Sequence, residues 1–231
     1  PLARFFRTMP AAFHGTTGAS AARPGGMKEL LGIPTLWIVN WFVAVATFGL
    51  FLVYSWLPTF LFDKFHLGLA RAGFEASVYP QIGTALGLLI GSTMADRYYK
   101  RSHSARYWVI LAALFGAGPC VYLIGAGITL EATRLAAMAF GLFSGCIICN
   151  QVAAAYDVVP ATLRASTVGL LNLLGALISG FGPLLGGLAR RSIGVDRLLS
   201  ITGAAYFLTA LLVLYGILRH FWRDHTAAAE R

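Results

Sequence analysis

The chain has 231 residues, of which 58% are hydrophobic and only 12% charged. Soluble domains carry about 25% charged residues, so this composition excludes an ordinary soluble domain and describes a membrane protein. The net charge of +9 does not describe a nucleic-acid binder, because the cations lie in short turns between apolar runs and build no basic face.

Residues 1–35 are rich in Gly, Pro and Ala, carry Arg4, Arg7, Arg23 and Lys28, and read as a linker with a short amphipathic piece at Leu2–Phe6. The chain opens on Pro1 and shows no signal-peptide pattern, so it reads as a fragment of a longer protein. Six apolar runs follow, at about 36–60, 74–95, 107–126, 135–156, 165–189 and 198–219. A helix needs about 20 residues to cross the hydrocarbon, and each run has that length. Barrel strands need only about 10 alternating residues, so the expected fold is all-α and polytopic.

In the first run Asn40, Thr47 and Tyr54 recur every seven residues on one helical face. Lipid solvates an amide poorly, so this face should look into the bundle or a wet cavity. Gln81 and Thr84 in the second run, Asn150 and Gln151 in the fourth and Asn172 in the fifth add polar groups. The substrate-binding candidates are therefore Asn40, Thr47, Tyr54, Gln81 and Asn150, with interhelical hydrogen bonding the competing reading. Gly83, Gly87 and Gly91 form one small-residue stripe, and Gly175, Ser179, Gly182 and Gly186 another. Such stripes let backbones approach closely, either as fixed packing or as a contact that slides. Pro34, Pro58 and Pro160 lie at or near run ends, whereas Pro183 lies mid-run and predicts a kink. Cys146 and Cys149 have redox spacing but read as buried small hydrophobes.

The second run ends in a dense charged turn that includes Asp96, Arg97, Lys100 and Arg101, with Arg106 before the next run. Charges at the bilayer centre are costly, so this turn marks a membrane face. Placing both termini on its side collects twelve cations, against six on the other: Lys64, Arg71, Arg134, Arg190, Arg191 and Arg197. Positive loops stay inside, which predicts cytoplasmic termini, with Arg190-Arg191 the local exception. The central parts of the runs carry no Asp, Glu, Lys, Arg or His, and all five histidines lie outside or at run ends, which argues against a proton relay or an intramembrane hydrolase. No metal-ligand cluster or phosphate loop stands out, so no metal, cofactor or enzymatic activity is expected.

Ser92-x-x-x-Asp96-Arg97-x-Tyr99-Lys100-Arg101, following the glycine stripe, resembles the cytoplasmic loop signature of the major facilitator superfamily. That signature runs Gly-x-x-x-Asp-Arg-x-Gly-Arg-Arg/Lys; here both glycines are replaced, as is usual for the copy in the second half. Pro160-x-x-x-Arg164-Ala165 resembles the turn before the family's fifth or eleventh helix. Gly182-Pro183-x-x-Gly186-Gly187 resembles the motif within that helix. Trp56-Leu57-Pro58 is similar to helix seven of the organic anion:cation symporter branch. The resemblance implies that residues 36–221 are helices 7–12 of a twelve-helix transporter, that residues 1–35 are the remnant of the central cytoplasmic loop, and that 222–231 are a tail. It further implies a missing N-terminal six-helix half, a small organic solute (an organic anion or a sugar-like metabolite) and a coupling ion, proton or sodium. Alternating access in an inner (plasma) membrane is the mode of action implied. Asp96, Arg97, Lys100, Arg101, Asp157 and Arg164 would form a conformational latch, with Asp96 at the N-terminus of the fifth span and Arg97 paired to Asp157. The alternative is a six-helix channel or scaffold that self-associates.

Overall fold

A computed structural model describes residues 26–99 and 102–229. A short helix α1 (Gly26–Leu31) precedes six long ones: α2 (Pro34–Phe65), α3 (Leu69–Tyr99), α4 (Ala105–Ala126), α5 (Leu130–Tyr156), α6 (Arg164–Ser192) and α7 (Val195–Arg219). A single 3-10 turn, Ala161–Leu163, leads into α6, and a last helix α8 (Phe221–Ala229) follows α7. Lys100, Arg101 and the amphipathic piece expected at Leu2–Phe6 lie outside the described residues.

Local chemistry places the helix ends. Pro34 occupies the first turn of α2, where its missing N–H is harmless. Thr129 caps α5 by accepting a hydrogen bond from the Ala132 amide at 3.1 Å. The α6–α7 turn passes through Gly194 at φ 89° and ψ 147°, a conformation that side chains disfavour. Pro58 does not end its helix: α2 continues to Phe65. Within a helical bundle, neighbouring groups offset the backbone hydrogen bond that proline removes.

Five of the six long helices, α2, α4, α5, α6 and α7, are long and apolar enough to cross a membrane. The other, α3, has the length but carries Arg71, Glu75, Gln81, Thr84, Ser92, Thr93 and Asp96 along it. These polar residues are the reason composition alone does not mark it as a span.

The long helices run alternately up and down and pack as register-fixed pairs. α3 and α5 are parallel: Arg134 bonds Glu75, Cys146 bonds the Gly87 carbonyl and Asn150 bonds the Gly91 carbonyl, each across 59 residues. α2 and α6 are also parallel, with Trp56–Pro183 and Asp63–Arg190 contacts both spanning 127 residues. α4 and α7 are antiparallel, with Gly118 against Gly203 and Gly125 against Asp196. The core between them is built from Phe42, Leu52, Ile110, Leu114, Phe140 and Tyr206. The Tyr206 hydroxyl donates to the Ala46 carbonyl at 3.0 Å, which meets the cost of burying it.

Both small-residue stripes lie in parallel seams. An added Cβ would lie 1.9 Å from the Met138 carbonyl oxygen at Gly83, 2.0 Å from that of Leu142 at Gly87, and 2.7 Å from Cys146 Cα at Gly91. From the other side, Gly141 and Gly145 would meet the Pro80 and Thr84 carbonyls at 2.1 and 2.4 Å. Backbones this close interlock, so the stripe is fixed packing rather than a sliding surface. On α6, Gly182 sits against Phe48 and Leu52, and Gly186 against the Trp56 indole. α6 runs unbroken through Pro183, whose carbonyl accepts from Trp56 Nε1 at 3.0 Å.

Candidate functional site

Between α2, α3 and α5 lies an open cavity of about 320 Å³ lined by Leu50, Phe51, Tyr54, Gln81, Thr84 and Ile148. Tyr54 and Gln81, two of the candidates from sequence, both line it. Asn40, Thr47 and Asn150 are not among its lining residues. Asn40 is buried and donates to the Leu36 carbonyl at 2.9 Å, while its side-chain oxygen has no hydrogen-bond partner. Thr47 spends its hydroxyl on the Val43 carbonyl at 2.7 Å, in the α2–α6 seam. Asn150 donates to the Gly91 and Cys146 carbonyls at 3.2 and 2.9 Å, stitching α5 to α3. The physical reason is chiefly distance: a straight helix drifts only about 20° per seven residues, whereas Asn40 lies roughly 21 Å along α2 from Tyr54. Thr84, whose hydroxyl donates to the Pro80 carbonyl at 2.8 Å, keeps lone pairs for a partner.

A second constellation lies at the end of the bundle where the signature loop joins α3 to α4. Asp157 caps α5 with its side chain 7% exposed. Arg106 Nη1 donates to its two oxygens at 2.9 and 3.2 Å, and the Tyr99 hydroxyl to one of them at 3.2 Å. The Arg106 guanidinium lies 4.1 Å from the Tyr99 ring centre. His225 Nδ1 donates to the Asp157 carbonyl at 2.7 Å. Burial pushes the Asp157 carboxyl up from its ordinary value, against the opposing pull of Arg106. This corrects the pairing expected from sequence: Arg106, not Arg97, holds Asp157. Arg97 sits on the exposed end of α3, whereas Arg106 begins α4 beside the end of α5. Asp96 is not found capping α6 either; its side chain is 74% exposed and its ion-pair partner is Arg106 at 3.9 Å. Arg164 lies over the Tyr156 ring at 5.2 Å.

At the opposite end, Glu75 and Arg134 form a pair that sequence reading missed. Arg134 Nε donates to Glu75 at 2.8 Å and its Nη2 does so as well, while Arg71 Nε adds 2.9 Å. Arg134 also pairs with Glu131. Arg190 pairs with Asp63 at 2.8 Å. Arg71, Arg134 and Arg190, three of the six cations on the minority side, are thus locally compensated, which softens the exception at Arg190. The signal available in the sequence was the position of Glu75 and Arg134 at matching ends of the second and fourth runs.

The arrangement is a bundle of long helices with a neutral, partly aromatic cavity wall on one side and a cluster of charged groups at one end. The family model of the major facilitator superfamily matches residues 2–183 and 42–230, and the chain belongs to that family, whose members are transporters rather than enzymes. A staphyloferrin B transporter from Staphylococcus aureus (strain NCTC 8325 / PS 47) is 25% identical over 198 residues, covering 84% of this chain and 44% of that protein. Among solved structures, the POT family transporter PepTSo superposes with a TM-score of 0.70 at 17% identity, over 80% of this chain and 38% of the other. A bacterial homolog of the human lysosomal transporter Spinster, in an inward-facing, unoccupied conformation, gives 0.63 at 17% identity over 94% and 53%. The chain thus spans about half the length of these proteins. These matches do not single out the organic anion:cation symporter branch.

Proposed function

We propose that this chain is the C-terminal half of a secondary active transporter that moves a small organic solute by alternating access. The observation that carries this reading is the cavity between α2, α3 and α5, where Tyr54, Gln81 and Thr84 offer hydrogen bonds beside Phe51 on an otherwise apolar wall. A missing six-helix half supplies the facing wall, and the two halves rock about the solute. The wall from this half is uncharged, so any charge on an organic anion is met by the other half. Coupling to protons or sodium also rests there, because Glu75 is saturated by Arg71 and Arg134. The twelve-to-six distribution of cations supports cytoplasmic termini. The latch is now centred on Arg106, which pairs with Asp157 and approaches Asp96, with Arg164 nearby over Tyr156 and Lys100 and Arg101 in the same loop.

The test uses the full-length protein in proteoliposomes with staphyloferrin B, the solute named for the relative, as the first probe. Losing one neutral hydrogen bond is worth about 0.5–1.5 kcal/mol, so Tyr54→Phe and Gln81→Ala each raise KM by about 2–12-fold. Uptake unchanged in both variants at normal expression counts against this wall as the solute site. Six further spans encoded upstream separate the half-transporter from a self-associating channel or scaffold.

A further inference from the structure

The last helix is tied into the bundle at three places. Phe221 is fully buried, with its ring edge-on to Tyr107 at 4.9 Å and stacked on His225 at 5.4 Å. His225 holds the Asp157 carbonyl at the end of α5. Asp224 reaches the start of α2, 189 residues away, where its Oδ2 accepts from the Thr35 amide at 3.0 Å and the Thr35 hydroxyl at 2.7 Å. The first amides of a helix have no partner within it, and a carboxylate there also meets the positive end of the helix dipole. The residue before α2, Ile33, has no side-chain oxygen to serve as a cap. A residue from the far end of the chain therefore supplies what the local sequence omits.

We propose that α8 is a conformational clasp: docked, it completes the start of α2 and binds it to the beginning of α4 and the end of α5; released, it frees the first turns of α2. The holding contacts are few, one ring, one carboxylate and one imidazole, while Trp222, Arg223 and Thr226 face outward. A unit with so little buried apolar surface opens locally without unfolding the bundle. α2 is the helix through which release is felt, because its exposed face carries Trp37, Trp41 and Phe51, the last in the cavity wall.

The test needs no solute, so its failure leaves the transporter reading untouched. In the full-length protein in lipid nanodiscs, hydrogen exchange is followed over residues 33–41, and a Trp41→Cys background reports maleimide labelling. Loss of a helix cap predicts that Asp224→Ala speeds exchange at the start of α2 by about fivefold. Labelling at position 41 rises in parallel, Asp224→Asn falls between, and Thr226→Ala, at an exposed residue whose hydroxyl bonds carbonyls of its own helix, matches the wild type. Should Asp224→Ala express poorly, Thr35→Val, which removes only the hydroxyl, gives the same direction with a smaller change. The clasp is overturned if faster exchange is confined to 221–229, or if the first turn of α2 exchanges faster while labelling at 41 does not change.

Discussion

Gly87→Ala tests the claim that α3 and α5 are one interlocked unit. The new Cβ lies 2.0 Å from the Leu142 carbonyl oxygen, whereas ordinary contact begins at 3.4 Å, so the seam must open locally by roughly 1.4 Å. Opening also stretches the Cys146–Gly87 and Asn150–Gly91 bonds, now at 3.3 and 3.2 Å. Overpacking costs about 1–3 kcal/mol, and the better helix propensity of alanine returns up to about 1 kcal/mol. A clash of roughly 1.4 Å against backbone sits at the upper end of that cost, so the net loss is about 2 kcal/mol, which for a unit of this size lowers the melting temperature by about 4–8 °C. Gly73→Ala in the same helix meets nothing within 4 Å and should leave the melt unchanged or raise it slightly. Melting in detergent or nanodiscs reads both. A Gly87→Ala protein that melts with or above the wild type refutes the interlocked seam.

Other outcomes follow from the same contacts. Arg106→Gln lowers stability by about 1.5–3 kcal/mol by stripping a buried carboxylate of its charged donor, while Arg97→Gln changes it by less than about 0.5 kcal/mol; equal effects in melts would return Asp157 to Arg97. Burial raises the Asp157 carboxyl, so the folded chain binds that proton at higher pH than the unfolded one. Its contribution is greatest below the ordinary carboxylate value and declines as pH rises through the raised value, so Asp157→Asn flattens the melting profile above the ordinary carboxylate value of about 3.9. Gly186→Ala places a Cβ 2.0 Å from Trp56 Nε1, and pairing it with Trp56→Ala recovers stability relative to the sum of the single changes, as a double-mutant cycle by melting shows.

The long helices were legible because span-length apolar runs are a strong signal, and the glycine stripes marked the two parallel seams. Pro58 misled because proline weakens a helix in water far more than inside a bundle. The polar face was half legible: Tyr54 and Gln81 share the cavity, but seven-residue spacing alone could not show that Thr47 packs in the α2–α6 seam or that Asn40, roughly 21 Å along α2 from Tyr54, is buried away from it. Arg106 lay in view as one more loop cation, yet choosing between it and Arg97 requires the position of α4 against α5. Asp224 carried no local signal at all, because its partner Thr35 lies at the other end of the chain.

The central claim is that the Tyr54–Gln81 wall belongs to a path open alternately to the two sides of the membrane. The direct measurement is maleimide labelling of a Gln81→Cys full-length protein in vesicles of both orientations, using a membrane-impermeant reagent. The account predicts labelling from each side, and a drop from one side when the conformation is trapped by cross-linking the opposite ends of the two halves. Labelling by lipid-soluble reagent alone, or from one side under every condition, contradicts it.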